Sequence, residues 1–163
     1  MTPKDIARLP FRKNVGIMLL NDQGHVFVGQ RRDNPGPAWQ MPQGGIDKGE
    51  EPRAAALREL EEETGITAAL VEVTAETEGW IAYELPADLI PKLWGGKWRG
   101  QKQKWYLMRF LGSDDDVDIT AHDHEFSAWR WSEVRELVPN IVPFKQEVYR
   151  QVISAFAEHL PDP

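Results

Sequence analysis

No cysteine occurs among the 163 residues, which removes disulfides, zinc–thiolate sites and thiol nucleophiles and fits a reducing compartment. Long apolar runs are missing as well. No stretch is apolar enough to span a bilayer. Met1 to Asn14 carries charges and prolines where a signal peptide needs an unbroken apolar segment. A soluble, intracellular, cytoplasmic protein is the expectation, with no membrane contact and no stable protein partner that the chain itself indicates. Basic charge is also short: 19 Lys and Arg against 26 Asp and Glu give a net charge of -7. That deficit argues against a general nucleic-acid coat protein, which relies on surplus cations to bind phosphates. It is uneven, however, because Leu89 to Leu111 holds Lys92, Lys97, Arg99, Lys102, Lys104 and Arg109 and no acid. Internal repeats and low-complexity segments are absent.

With 41% hydrophobic and 28% charged residues, the composition is that of an ordinary globular protein, and residues 1–163 fit a single domain. Val15 to Asn21 and His25 to Val28 read as strands joined by a turn at Asn21-Asp22-Gln23-Gly24. Arg31 and Arg32 mark the exit of that hairpin, residues 33–37 a loop, and Ala38 to Met41 a short strand. Further strands are expected at Leu70 to Ala75, Trp80 to Leu85, Lys104 to Leu111 and Phe126 to Trp131. Residues 86–100 and 114–124 read as irregular. Ser132 is placed to cap a short helix ending at Pro139, and Phe144, Val148, Val152, Phe156 and Leu160 form the apolar stripe of a last helix. Strands with two main helices predict an α+β domain in which helices flank a mixed sheet.

The most informative stretch is Gly44 to Ile66. It reads as a glycine-rich turn feeding a helix with Pro52 in its first turn and Gly65 as C-cap. Ala56, Leu57 and Leu60 make an apolar stripe. Beside it Glu59, Glu62 and Glu63 stand at i, i+3 and i+4 on one face. Like charges so placed repel, and late in a helix they also oppose its dipole. The spacing works against stability unless a cation sits among them. Carboxylates without thiolate or close histidine partners favour a hard cation, Mg²⁺ first and Mn²⁺ or another divalent ion as substitute. Such a site suits attack of water on a diphosphate linkage. His122 and His124, between acids in a loop, read as solvated side chains rather than a zinc site.

Gly44, Glu50, Arg58, Glu59, Leu60, Glu62, Glu63, Gly65 and Ile66 resemble the signature of the Nudix hydrolase family at every fixed position. The resemblance implies a Nudix fold, an α/β/α sandwich, with catalytic roles on Glu59, Glu62, Glu63 and Arg58. It implies metal binding at Glu59, Glu62, Glu63 and Gly44. Arg58 and Glu50 read as positioning residues, and Glu59 is the first choice of general base. Segments outside this stretch narrow the resemblance to bacterial RNA pyrophosphohydrolases and the related dinucleoside polyphosphate hydrolases. These are Arg12 to Gly16, Trp39 to Gly45, Gly100 to Trp105, Glu125-Phe126, Trp129 to Trp131, Phe144-Lys145 and Val148-Tyr149. That branch implies a further metal ligand at Glu125 and phosphate contacts at Arg12, Arg31, Lys102, Gln103 and Lys104. It also implies a base held between Tyr83 and Phe144, although Phe144 equally begins the last helix's core stripe. Two substrates follow. One is the 5′-triphosphate end of RNA, losing pyrophosphate to leave a monophosphate and so initiating mRNA decay. The other is a dinucleoside polyphosphate such as diadenosine tetraphosphate. A Nudix module that binds nucleotides without turnover is a third reading.

Overall fold

The computed structural model describes residues 2–33 and 36–161, so Asn34 and Pro35 of the expected 33–37 loop lie outside the described residues. Its elements in order are α1 (Pro3–Ala7), β1 (Phe11–Leu20), β2 (Val26–Arg31), β3 (Gln43–Gly45), α2 (Pro52–Thr64), β4 (Val71–Glu76), β5 (Ile81–Glu84), β6 (Gly100–Phe110), β7 (Phe126–Ser132) and α3 (Gln146–Ala155). The strands make one mixed sheet in the order β4-β6-β1-β2-β7, with β3 added to β1 and β5 to β6. At its centre β1 and β6 run parallel, from Phe11 beside Gly100 to Leu20 beside Arg109.

Alternation along these strands divides the core into two layers. Val15, Ile17 and Leu19 point to one face with Phe27, Tyr106, Met108 and Phe126, and Ala55, Ala56 and Leu60 of α2 cover them. Met18, Val28, Trp105 and Leu107 point to the other face, covered by Val148, Tyr149, Val152 and Phe156. The expected α/β/α sandwich is therefore the fold adopted. No helix among the described residues is long and apolar enough to cross a membrane.

Several expected elements differ. Gln43–Gly45, where a glycine turn was expected from Gly44 on, is a strand antiparallel to the middle of β1, with Asn14 opposite Gly45 and Gly16 opposite Gln43. The strand expected at Ala38 to Met41 shrinks to one bridge between Gly29 and Gln40, since Pro42 has no N–H to continue a ladder. β1 and β6 begin at Phe11 and Gly100 rather than Val15 and Lys104, their polar first halves paired with each other and, for β6, with β5. Ser132 ends β7, its hydroxyl donating to the Glu133 carbonyl at 3.0 Å. No cap forms there, and Glu133 precedes a 3₁₀ turn at Val134–Glu136. The last helix is shorter than its stripe: Phe144 lies in a preceding 3₁₀ turn, Phe156 caps the end, and Leu160 follows another turn.

Candidate active site

α2 begins with Pro52, whose missing N–H costs nothing there, and stops at Gly65, which takes the left-handed φ of 75°. Between them Arg58 spans the gap from the helix to the segment before it. Its Nε and Nη2 donate to both oxygens of Glu50 at 2.9 and 2.8 Å, and Nη2 also donates to the Gly45 carbonyl at 2.9 Å. Nη1 donates to Glu59 at 2.9 Å and to Glu62 at 3.0 Å. This two-pronged pair holds the Glu50 carboxyl down at about 2. Arg58 thus links Glu50, before the helix, to Glu59 and Glu62 on it.

Glu59 and Glu63 leave the helix surface for the interior. A side chain at Gly44 would collide with the Glu59 carboxylate, so glycine at that point of β3 is what admits it. Glu63 accepts the Gln43 N–H at 3.1 Å with one oxygen, and its other oxygen is buried without a partner. Burial raises the Glu63 pKa well above the ordinary range, and the neighbouring carboxylates Glu125 and Glu59 raise it further. Burial likewise lifts Glu59 to about 7 against the pull of Arg58, with Glu62 and Glu125 adding to the rise. Four carboxylates thus crowd one corner, with an orphaned oxygen among them, and that is an arrangement a hard cation relieves. Among the described residues no three acidic or histidine side chains stand together as a ready-made metal site. Arg58 instead engages one oxygen each of Glu59 and Glu62. The donor set fits a divalent cation that keeps part of its coordination for water or phosphate oxygens.

This corner opens into a cleft of about 580 Å³ lined by Gly44, Glu59 and Glu125 on the acidic side and by Arg12, Arg31 and Lys145 on the basic side. Arg31 is held by both oxygens of Asp33 at 2.8 Å. Arg12 lies over the Trp94 ring at 5.1 Å. Lys145 was not foreseen. Burial and the Arg31 charge lower it to about 8 while Glu63 draws it the other way. Its signal was faint, because a lysine beside an apolar helical stripe reads as solvated. Trp94 also lines the cleft, with φ at 47° before two glycines that are themselves left-handed.

Three expected phosphate contacts lie elsewhere. Gln103 is buried and engaged, donating to the Gln43 side chain at 3.3 Å and accepting from the Trp105 indole at 3.0 Å. Alternation in β6 turns Lys102 and Lys104 to the α2 face, away from the cleft. There Lys104 pairs with Glu76 at 3.1 Å and Lys102 lies over Trp80. Tyr83 and Phe144 do meet in the cleft wall, with ring centroids 6.0 Å apart and planes tilted by 38°. Parallel rings holding a base stand about 7 Å apart, a spacing wider than the one between these two. Tyr83 is buried with its hydroxyl donated to Gln101 at 3.0 Å, which leaves Phe144 and Trp94 as the accessible aromatic surfaces. Glu62 lies outside the cleft lining, held by Arg58. His122 approaches Glu61 at 3.7 Å and His124 contacts Arg32, so the two histidines do not share a site.

The family model described as the NUDIX domain matches residues 10–152. An RNA pyrophosphohydrolase of Roseobacter denitrificans is 64% identical over 98% of this chain and 100% of its own length. Another of that name, from Novosphingobium aromaticivorans, is 58% identical over 93% of this chain and 96% of its length. Among solved structures, an Ap4A hydrolase of C. elegans superposes with a TM-score of 0.65 at 24% identity, covering 91% of this chain and 99% of that one. The E. coli dihydroneopterin triphosphate pyrophosphohydrolase gives 0.68 at 18% identity over 89% and 98%. At those identities the structural matches speak to the fold alone.

Proposed function

The chain belongs to the Nudix hydrolase family, enzymes of phosphoanhydride bonds, and on that premise we propose that it removes pyrophosphate from the 5′-triphosphate end of RNA. The observation that carries this reading is the cleft itself, in which Glu59 and Glu125, with Glu63 buried beside them, face Arg12, Arg31 and Lys145. The relatives named RNA pyrophosphohydrolase, at 58% and 64% identity, support the same substrate.

Glu59, Glu63 and Glu125 would hold the cofactor, with Glu62 beside them; we assign Mg²⁺, for which Mn²⁺ or another divalent ion can substitute. Bound there, it supplies positive charge opposite the phosphate oxygens and makes water more acidic. The chain's own residues do the rest. Arg12, Arg31 and Lys145 bind and orient the triphosphate, Arg31 exchanging its Asp33 partner for phosphate oxygens. Glu59 takes the proton of the attacking water. One P–O bond forms from water, the bond linking the α- and β-phosphates breaks, and pyrophosphate leaves a 5′-monophosphate end. Arg58 touches none of these atoms and positions Glu59. An RNA substrate and a chain without cysteine accord with a cytoplasmic location.

The test is a comparison of kcat/KM on 5′-triphosphorylated RNA and on diadenosine tetraphosphate with Mg²⁺. A higher value on RNA, with pyrophosphate and monophosphate ends as products, is expected. Turnover of the dinucleotide alone would overturn the reading.

A further inference from the structure

On the face of the sheet opposite the cleft, Lys13 and Lys102 are neighbours in the parallel register of β1 and β6. The ammonium group of each lies 5.7 Å from the centre of the same ring, that of Trp80, which is 38% exposed at the entry to β5. Neither lysine joins an ion pair among the described residues, whereas Lys104 on the same face is neutralised by Glu76. Contact with one indole restrains two otherwise flexible cationic stems. In a chain of net charge -7, this makes a local cationic and aromatic platform.

We propose that Lys13, Trp80 and Lys102 form a second contact for the RNA strand, engaging its backbone behind the reacting 5′ end; the inference rests on the RNA reading above. Continuity with the cleft argues for it. The strand neighbours Arg12 and Gln101 line the cleft, and alternation puts the next residues, Lys13 and Lys102, on the other face at the same end of β1 and β6. A polynucleotide that leaves the cleft and rounds the starts of β1 and β6 meets the platform. Its phosphates meet the two ammonium groups, and a base packs against the exposed indole, a pairing of cations and aromatic surface that suits single-stranded nucleic acid of any sequence. An acidic protein segment would use the charges but would gain nothing from proximity to the cleft. A substrate of two nucleotides is contained in the cleft and does not reach.

The experiment compares kcat/KM on a 5′-triphosphorylated dinucleotide and on a triphosphorylated RNA of about ten nucleotides, for the wild type, Trp80→Ala, Trp80→Phe and Lys13→Gln. Trp80→Ala is expected to lose about tenfold on the longer RNA and nothing on the dinucleotide, with Trp80→Phe restoring most of the loss. Lys13→Gln is expected to reduce the salt dependence on the longer RNA by about 0.7 in log–log slope. Equal losses on both lengths, or no loss on either, overturn the platform, and in the latter case leave it free for an acidic protein. Inactivity of the wild type on both RNAs overturns the RNA reading instead.

Discussion

Glu59 and Glu63 are carboxylates whose folded surroundings favour the proton. Burial is the first cause for both, and mutual repulsion with Glu125 adds to it. Because their folded pKa values lie above the ordinary 4.5, the folded state binds more protons than the unfolded one as pH rises from there toward about 7. Stability contributed by these groups is present below that window and lost through it. In chelator, the melting temperature is expected to fall across this range, and the Glu59→Gln, Glu63→Gln double variant to flatten the fall. An unchanged slope in the double variant would contradict the burial described. Glu50 has the opposite sign: held at about 2 by Arg58, it stabilises above its ordinary pKa and ceases to as pH falls toward 2. The proximity of Glu59, Glu62 and Glu63 was legible because helical periodicity alone brings them to one side. Lys145 and Trp94 were not, since only the folding of distant segments against each other puts them in the cleft.

At the scale of elements, Ala55, Ala56 and Leu60 pack the helix α2 on the sheet, and Arg58 ties it to the segment that precedes it through Glu50 and the Gly45 carbonyl. Replacing Arg58 by Ala leaves Glu50 and Glu59 without their cation and frees one end of β3. Because the arginine is partly exposed, the cost is set below that of a fully buried pair, at about 2 kcal/mol in urea unfolding. Arg58→Lys is expected to recover little of it, since a single ammonium cannot reproduce the fork that grips both Glu50 oxygens. Full recovery with lysine would show that charge alone suffices. Gln43–Gly45 has the composition of a turn, and the polar starts of β1 and β6 lack the alternation that marks a half-buried strand. Their strand character comes from partners far along the chain, as in the register of Phe11 with Gly100, and local pattern carries no trace of it.

For the whole molecule, the sandwich was legible from the count of strands and amphipathic helices, but the sheet order was not. The parallel pairing of β1 with β6 sets the cleft's polar floor, Asn14 donating to Gln101 at 2.5 Å, and also turns Lys102 and Lys104 away from it. It thereby separates the basic stretch of residues 89–111 from the acidic corner. The charge of the molecule is arranged around that corner, with carboxylates on one wall, three cations on the other and an aromatic edge between. The most direct test follows pyrophosphate release from 5′-triphosphorylated RNA with Mg²⁺ by the wild type and by Glu63→Gln, with melting temperature measured alongside. Loss of the only buried carboxylate oxygen without a partner among the described residues is expected to reduce kcat by at least about a hundredfold while the metal-free fold melts no lower. Near-normal kcat in Glu63→Gln at saturating Mg²⁺ would contradict the account.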